Sequence, residues 1–455
     1  MPYRLLAHCC LTLTLLLPSL FAGRLAAAEA HVLSTGRKVG DLSRVTVKIE
    51  VGGDLKVMEK SKVKPLKMSV VGTIAYDEML VAGERGQVRG VRYYDQAEAT
   101  IKIENGGAKP VLRADRRLIG VDWSGQSVQL YSPRGSLTRE ELDLIDVPGN
   151  SLLLDMLLPD GPVALDGQWR IAETTLAPLL GLDVVSTSDV QCTLKEVAAD
   201  VAKAEFSGNV AGAVQGVATE IEVKGRLHFN LKHKRMSFVG LAIKEKRPIG
   251  HVQTGIDAVA RLQITLTDLK QSKQLTRDAV AEATSGGALH LPLLLESTAG
   301  QFSLRCDRRW HVVNDDPKLL TLRFVDRGDL VAQCNVAVLD KVEPGQQIAL
   351  SKFQSEIQQK LGATFGQFLQ ASESVLPEGY TKYRVTAMGT VAELPIEWRY
   401  YLLFDASGRQ VAFAFTLEQS LVERFADADA ALVATLGFQA PKAETAANPV
   451  LKKTK

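Results

Sequence analysis

Cysteine is scarce in this sequence, because the chain of 455 residues contains only five. Two of them, Cys9 and Cys10, lie in the N-terminal segment discussed below, and the others are Cys192, Cys306 and Cys334. Three cysteines are too few to hold together a disulfide-rich fold, and no pair has the spacing of a zinc site. Ordinary hydrophobic cores must therefore stabilise the protein.

The sequence also lacks an excess of positive or of negative charge. The chain has 54 Lys and Arg residues against 52 Asp and Glu residues, which gives a formal net charge of +2. Such a balance produces no long-range field that would attract nucleic acid or an anionic membrane surface. The composition therefore predicts no nucleic-acid partner.

Motifs of the common catalytic and cofactor sites are absent as well. The sequence contains no HExxH, GxSxG, P-loop or dinucleotide-binding pattern,. The sequence predicts no catalytic residue, no cofactor and no metal site, and it favours a non-enzymatic function. A triad assembled from distant residues leaves no recognisable spacing, so a hydrolase with a site between two domains remains an alternative.

A long apolar run occurs once, near the N-terminus. Arg4 precedes the apolar stretch 11–21, and small residues follow at 26–28. This arrangement is typical of a secretory signal peptide, which we predict over residues 1–28. The mature chain would have 427 residues with 52 basic and 52 acidic side chains. We expect a periplasmic or extracellular protein without a transmembrane segment, because no later run is long enough to span a bilayer.

Short alternating runs of apolar and polar residues dominate the next part of the chain. Val45, Val47 and Ile49 alternate with polar residues before Gly52-Gly53-Asp54, which predicts a strand ending in a turn,. Similar runs continue, so we predict an antiparallel β-rich domain over residues 40–268, built as a half-barrel or curved sheet. Residues 190–206 fit a helix or a strand, and we favour the strand.

Helical spacing interrupts these strands at residues 138–181. Thr138 and Glu141 have the spacing of a capping box, and Gly181 follows an apolar stretch as a helix C-terminal stop,. We therefore predict a short helical insertion within the β-rich domain.

The composition turns polar near residue 269, which predicts a linker over 269–290,. A second block follows at 291–438, with further strands around a helix at 350–361 whose apolar face contains Phe353 and Ile357. Residues 439–455 are poor in aromatic side chains and are predicted to be disordered. The overall prediction is an α+β protein with two domains.

Both blocks resemble known families. The C-terminal block resembles the PsbP/DcrB-type α/β sandwich, on the order of its elements and on the segments 302–304, 309–310 and 411–416. The N-terminal block is similar to uncharacterised secreted bacterial β-rich domains, distantly LolA-like, on the segments 162–163, 167–169 and 220–229. These resemblances bring no catalytic residues and imply an accessory or binding role.

Cys306 and Cys334 are expected to lie in or beside strands of the same sheet. In an exported protein two such residues are compatible with a disulfide bond, and equally with two buried thiols. Our prediction is a secreted, non-enzymatic binding or structural protein of a bacterial envelope. Its partner is an unknown envelope protein or, in the carrier alternative, an apolar ligand held in the N-terminal domain.

Overall fold

The structure is a computed structural model that describes residues 29–439 except 85–86, 125–126, 286, 298–299, 317–318, 344–345 and 378. The predicted signal peptide and residues 440–455 of the predicted tail lie outside the described residues. Gln439 is described, and its backbone N–H donates to the carbonyl of Gln301 over 2.8 Å.

The N-terminal part contains fifteen strands and three α-helices in the described residues. They are β1 (Ala30–His31), β2 (Leu42–Glu59), β3 (Lys62–Glu84), β4 (Gln87–Ile103), β5 (Gly106–Ala108), β6 (Leu118–Trp123), β7 (Val128–Tyr131), α1 (Arg139–Ile145), β8 (Val163–Ala164), β9 (Gln168–Arg170), α2 (Glu173–Leu180), β10 (Val184–Ser188), β11 (Gln191–Ala198), β12 (Val201–Val214), β13 (Val217–Asn230), β14 (Arg235–Arg247), β15 (Gly255–Leu269) and α3 (Arg277–Thr284).

Most of these strands form one large antiparallel sheet. Its order is β7-β6-β4-β3-β2-β15-β14-β13-β12-β11-β9, with β5 beside β4 and β10 beside β12, while β1 pairs with β8. Lys60 and Ser61 connect β2 to β3 with positive φ values of 48° and 63°, as a two-residue hairpin turn requires,. The side chains alternate between an apolar inner face and a polar outer face, as the sequence pattern predicts.

The turn predicted at Gly52-Gly53-Asp54 is wrong. β2 continues through these residues and pairs with β15 from Leu42 to Lys56. A Cβ atom on Gly53 would lie 2.5 Å from the Cα of Ala258 on β15. Gly53 therefore allows a close approach between two strands, and it does not end one.

The inner face of the large sheet packs against residues 137–182, which we call the covering segment. Leu142, Leu154 and Leu176 of this segment share one hydrophobic core with Val47 and Val223 of the sheet. The predicted capping box is present, because Thr138 accepts the N–H of Glu141 while the Glu141 carboxylate accepts the N–H of Thr138. Gly181 ends α2 with a φ of 71°. The covering segment thus supplies one side of the main core.

Residues 190–206 belong to β11 and β12, as favoured from the sequence. The segment predicted as a linker contains α3, where Ala279 and Ala283 pack in a small core with Val91 and Leu118.

The C-terminal part contains ten strands and three short α-helices in the described residues. They are β16 (Leu293–Ser297), β17 (Phe302–Cys306), β18 (Trp310–Asp316), β19 (Leu319–Asp326), β20 (Asp329–Leu339), α4 (Leu350–Leu361), β21 (Phe365–Val375), β22 (Thr381–Val391), β23 (Leu394–Phe404), β24 (Gln410–Glu418), α5 (Val422–Phe425), α6 (Ala428–Val433) and β25 (Gly437–Phe438).

Seven of these strands form an antiparallel sheet in the order β18-β19-β20-β24-β23-β22-β21. Phe353 and Ile357 of α4 pack on one face of this sheet. The other face packs against α5, α6 and the small sheet β16-β17-β25, with Phe302 and Phe425 in that core.

The fold-class prediction is confirmed at the level of a predominantly antiparallel β protein with few helices. Strands account for 57% of the structure and helices for 15%, and the sheets are open. In the described part of the chain, no helix is both long and apolar enough to cross a membrane.

Candidate functional site

Cys306 and Cys334 are free, buried thiols in the structure. They lie in different sheets, on β17 and β20, so the expectation of a shared sheet is wrong. β17 pairs with β16 and β25 in a separate three-stranded sheet, whereas β20 belongs to the seven-stranded sheet. Burial raises the pKa of the Cys306 thiol to about 12, so the thiolate is scarce at neutral pH. A bond between the two residues stays a prediction.

The inner face of the large sheet, where a carrier would hold an apolar ligand, is occupied by the covering segment. A cavity of about 10 Å³ remains between the two, lined by Ile74, Tyr76, Arg92 and Asn150 among others. This volume is about the minimum that a single water molecule needs, so an apolar ligand could enter only if the covering segment moved. Tyr94, only 1% exposed, belongs to this core.

A buried polar cluster joins the covering segment to the sheet. The Glu78 carboxylate on β3 is fully buried and accepts hydrogen bonds from Arg92 Nε at 2.9 Å, from Arg37 Nη2 at 3.0 Å and from Ser151 Oγ at 2.5 Å. Arg92 Nη2 also donates to Ser151 Oγ at 3.0 Å and to the side-chain oxygen of Asn150. The middle of the covering segment is therefore attached to a charged pair in the sheet.

The electrostatics of this cluster are those of a structural site. Burial alone would raise the pKa of Glu78, but the guanidinium groups of Arg92 and Arg37 hold it below its ordinary value. A carboxylate paired on both oxygens is a poor general base, because its proton affinity is low. The cluster therefore anchors the covering segment.

A second candidate site is the cleft between the two domains, with a volume of about 620 Å³. One wall comes from the N-terminal part and contains Ser127, Asp183 and Gln215. The facing wall comes from the turns that flank β18 and β19, together with β18 itself, and contains Arg308, Arg309, His311 and Arg327.

Direct contacts between the domains frame this cleft. The turns at Gly216 and Gly328 touch, since a Cβ on Gly216 would lie 2.4 Å from the Cα of Gly328. Elsewhere the backbone N–H of Leu294 donates to the carbonyl of Leu137 over 2.8 Å. Backbone atoms of the two domains are therefore in close contact beside the cleft.

The hydrolase alternative can be examined at this cleft, because Ser127, His311 and Asp183 all line it. Among the described residues no hydrogen bond joins any two of the three. Asp183 instead accepts the backbone N–H of Gln215. Burial, with a smaller effect from Arg139, lowers the pKa of His311 to about 4, which makes it a weak base at neutral pH,. The geometry does not favour a nucleophilic triad.

Protonation of His311 is expected to destabilise the folded protein. Its pKa falls from 6.5 to about 4 on folding, so the unfolded chain binds the proton more tightly. Above pH 6.5 His311 is neutral in both states, and the protein has its full stability. As the pH falls towards 4, protonation of His311 in the unfolded chain lowers the free energy of unfolding by at most about 3 kcal/mol,. Urea unfolding of the wild type and of His311→Gln across this pH range should show a difference in free energy that depends on pH.

The matched control for that experiment is His251→Gln, because His251 is exposed. This control measures the effect of replacing an exposed histidine by glutamine outside the cleft. An identical pH dependence in the wild type and in His311→Gln would show that His311 titrates normally.

A broad concave surface lies on the polar outer face of the large sheet, and we call it the outer groove. Its main depression has a volume of about 790 Å³ and extends from Gln168 across β11, β12, β13 and β14 to Gln263. A neighbouring depression of about 540 Å³ shares Asp189 with it. The two form one shallow surface across the middle of the sheet.

Small residues on β14 create the floor of the outer groove. In the strand register Gly240 lies between Arg226 on β13 and Gln263 on β15. Ala242 lies between Lys224 on β13 and Arg261 on β15. Lys224 pairs with Glu222 at 2.9 Å. Arg226 and Arg261 form no ion pair with any described residue. Two exposed guanidinium groups therefore flank the floor, and neither forms an ion pair with the described carboxylate opposite it in the strand register, Glu205 for Arg226 and Glu50 for Arg261.

An aromatic stack lies at one end of the groove. The guanidinium of Arg226 lies 5.4 Å from the ring centre of Phe238, and the His228 ring lies 5.0 Å from the same ring. The stack limits the motion of Arg226 and orders its charge at the groove edge. Alternation places Arg226 and His228 on the same polar face, so the strand pattern contained part of this signal. The role of the small residues on β14 can be recognised only once the strand register is known.

No family model matches this chain, and no curated protein matches it. Solved structures show low similarity. The structure is similar to cyanobacterial PsbP from Synechocystis sp. PCC 6803, the family that the C-terminal block resembles, with a TM-score of 0.26 and 9% identity over 32% of this chain and 91% of that one.

Two further solved structures are similar at the same low level. Lipovitellin matches with a TM-score of 0.30 and 7% identity over 52% of this chain and 26% of that one. The translocator domain of the autotransporter NalP from Neisseria meningitidis matches with a TM-score of 0.13 and 7% identity over 84% and 90%. With TM-scores this low, none of the three assigns a family or a function to this chain.

Proposed function

We propose that this protein is a non-enzymatic binding protein of an exported compartment and that it holds an acidic, extended partner in the outer groove. The observation that supports the proposal is the pair Arg226 and Arg261, exposed on either side of a floor of small residues and without ion pairs among the described residues. Guanidinium groups placed in this way suit carboxylate or phosphate groups, which they bind through two parallel hydrogen bonds.

The rest of the groove fits a polar partner better than an apolar one. Amide and hydroxyl side chains line it together with the charges, and they are Gln168, Gln191, Thr193, Ser207 and Gln263. Such groups both donate and accept hydrogen bonds, so they can follow a chain of polar groups. The carboxylates of Asp189 and Glu205 also line the depression, and they disfavour a partner that is acidic along its whole length. A partner with separated acidic groups is the best match.

Charge reversal in the outer groove tests this function. The double variant Arg226→Glu and Arg261→Glu should lose the partner that wild-type protein retains from an envelope extract, because two attractive contacts become repulsive. The complex should also weaken as salt increases, since its charges are exposed. Both substituted side chains are exposed, but the reversals place carboxylates opposite Glu205 and Glu50 in the strand register, so the variant should unfold at a slightly lower urea concentration than the wild type while staying folded without denaturant.

The matched control reverses two exposed lysines elsewhere, Lys102→Glu and Lys109→Glu, which lie outside the groove. This control has the same net charge as the groove variant and should retain the partner. An identical set of retained proteins for the wild type and both variants would contradict a function of the outer groove.

The carrier function would require the covering segment to leave the inner face. The filled core makes this costly, because the apolar side chains of both surfaces would lose their contacts. The geometry therefore favours the outer groove over an internal apolar ligand.

A further inference from the structure

The arginines of the interdomain cleft differ in how they are neutralised. Arg309 is paired, since its Nε and Nη2 lie 2.9 and 3.1 Å from the Asp307 carboxylate and its Nη1 lies 3.5 Å from Asp326. Arg308 and Arg327 line the same wall and form no ion pair with any described residue. The cleft thus contains two guanidinium groups whose charge is not balanced by direct contact.

Arg308 is the more unusual of the two because it is half-buried. Its Nε donates to the carbonyl of Leu291 at 3.0 Å, and its Nη2 donates to the carbonyl of Leu130. These bonds fix the side chain across the interface between the domains but supply no negative charge. Buried charges in proteins are normally paired, because removal from water is costly. Burial lowers the pKa of Arg308, and the largest opposing effect comes from the Asp146 carboxylate, which forms no ion pair with it in the described residues,.

Arg327 is exposed at the rim of the cleft. It lies in the turn between β19 and β20 with a φ of 48°, next to Gly328, which touches Gly216 of the other domain. The closely packed turn fixes the position from which the Arg327 side chain extends. A ligand in the cleft could therefore be reached by Arg308 from the inside and by Arg327 from the rim.

The opposite wall has hydrogen-bond acceptors in place of cations. Asp183 lines it, and the side-chain oxygen of Gln215 is buried without a hydrogen-bond partner among the described residues. An unpaired buried acceptor is costly, and a hydroxyl or amine donor would remove that cost. The two walls therefore favour different groups on one ligand, an anionic group beside the arginines and a hydrogen-bond donor beside Asp183 and Gln215.

We propose that the interdomain cleft binds a small anion that also has hydroxyl groups, with its anionic group at Arg308 and Arg327 and a hydroxyl at Asp183 and Gln215. Sugar phosphates and sugar acids have this chemistry. The volume of about 620 Å³ is in the range of small-molecule sites,. Such a ligand contacts both domains at once, so its binding would stabilise their contact.

Calorimetric titration of the full chain with four compounds tests the proposal. Glucose 6-phosphate and gluconate have both groups, inorganic phosphate has the charge alone, and glucose has the hydroxyls alone. We expect glucose 6-phosphate or gluconate to bind more tightly than inorganic phosphate, and glucose not to bind. Binding should weaken with added salt, because the sites are partly exposed.

Single substitutions test whether the compound binds in the cleft. Arg327→Gln should raise the Kd of the bound compound about tenfold or more, as expected for a lost hydrogen bond to a charged group. The exposed Arg305→Gln lies on β17 outside the cleft and should leave the Kd unchanged. Asp183→Asn should weaken the hydroxylated anion while leaving inorganic phosphate unchanged or tighter, because the acceptor is altered and a repulsive charge is removed.

Three results would overturn the proposal. The first is no heat of binding for either hydroxylated anion at about 1 mM ligand. The second is a Kd that does not respond to Arg327→Gln. The third is equal affinity for inorganic phosphate and glucose 6-phosphate, which would remove the role of Asp183 and Gln215. None of these results bears on the outer groove, which lies on a different face and has its own charge-reversal test.

Discussion

The substitution Glu78→Ala is expected to lower the free energy of unfolding of the N-terminal domain by about 3–5 kcal/mol. The side chain of Glu78 is fully buried, and it pairs with Arg92 and Arg37, whose side chains are only 3% and 8% exposed. Its removal leaves two buried guanidinium groups without their carboxylate. It also leaves the Ser151 hydroxyl without the acceptor that lies 2.5 Å away.

Urea unfolding followed by circular dichroism measures this loss. Glu50→Ala is the matched control, because Glu50 lies on the neighbouring strand β2 and is exposed, so its removal should change stability by less than about 0.5 kcal/mol,. The double substitution Glu78→Ala and Arg92→Ala should cost less than the sum of the single ones, since the two side chains interact. A loss for Glu78→Ala as small as that for Glu50→Ala would contradict the pairing.

The same carboxylate predicts a pH dependence. Its pKa is lower in the folded protein than its ordinary value of 4.5. The unfolded chain therefore binds the proton first, and the stabilisation is present above pH 4.5 and is lost as the pH falls through the lower folded value. The difference in stability between the wild type and Glu78→Gln should shrink in that acidic range and stay constant above it.

Local sequence signals predicted local structure well. The capping box at Thr138 and Glu141, the stop at Gly181 and the helix with Phe353 and Ile357 depend on residues close together in the chain. Each of these patterns satisfies backbone groups or apolar side chains within a few residues. The glycine pair at 52–53 was misread because its function depends on Ala258, about two hundred residues away.

The buried cluster shows why candidate sites were harder to predict. Glu78 lies opposite Arg92 in the β3–β4 hairpin, and the pairing depends on a register shift between Leu80 and Ala82. Without that irregularity Glu78 would face Tyr93. A bulge that moves the pairing by one residue leaves no reliable mark in the sequence, so the pairing of Glu78 with Arg92 could not be predicted from it. Arg308 and Gln215 line one cleft from two different domains, and no local pattern in the sequence indicates this.

The C-terminal domain contains a matching buried charge on α6. Asp429 is 0% exposed. It accepts hydrogen bonds from Arg399 Nη1 at 2.7 Å, from the Tyr401 hydroxyl at 2.5 Å and from Arg384 Nη2 at 3.5 Å. This one carboxylate holds α6 against the seven-stranded sheet. Nothing in the sequence pattern around Asp429 indicates that this carboxylate faces the core.

Asp429→Ala is therefore expected to cost about 2–3 kcal/mol, because it leaves the Tyr401 hydroxyl without its acceptor and removes one of the two carboxylates of Arg399, whose Nε still donates to Glu397 at 2.7 Å,. Tyr401→Phe removes one hydrogen bond and keeps the ion pair with Arg399, so it should cost about 1–2 kcal/mol. Glu423→Ala on α5 is the control, since Glu423 is exposed and forms no ion pair with a described residue. Urea unfolding should rank the three losses in that order. A loss for Asp429→Ala no greater than that for Tyr401→Phe would mean that the ion pair with Arg399 adds nothing to the attachment of α6.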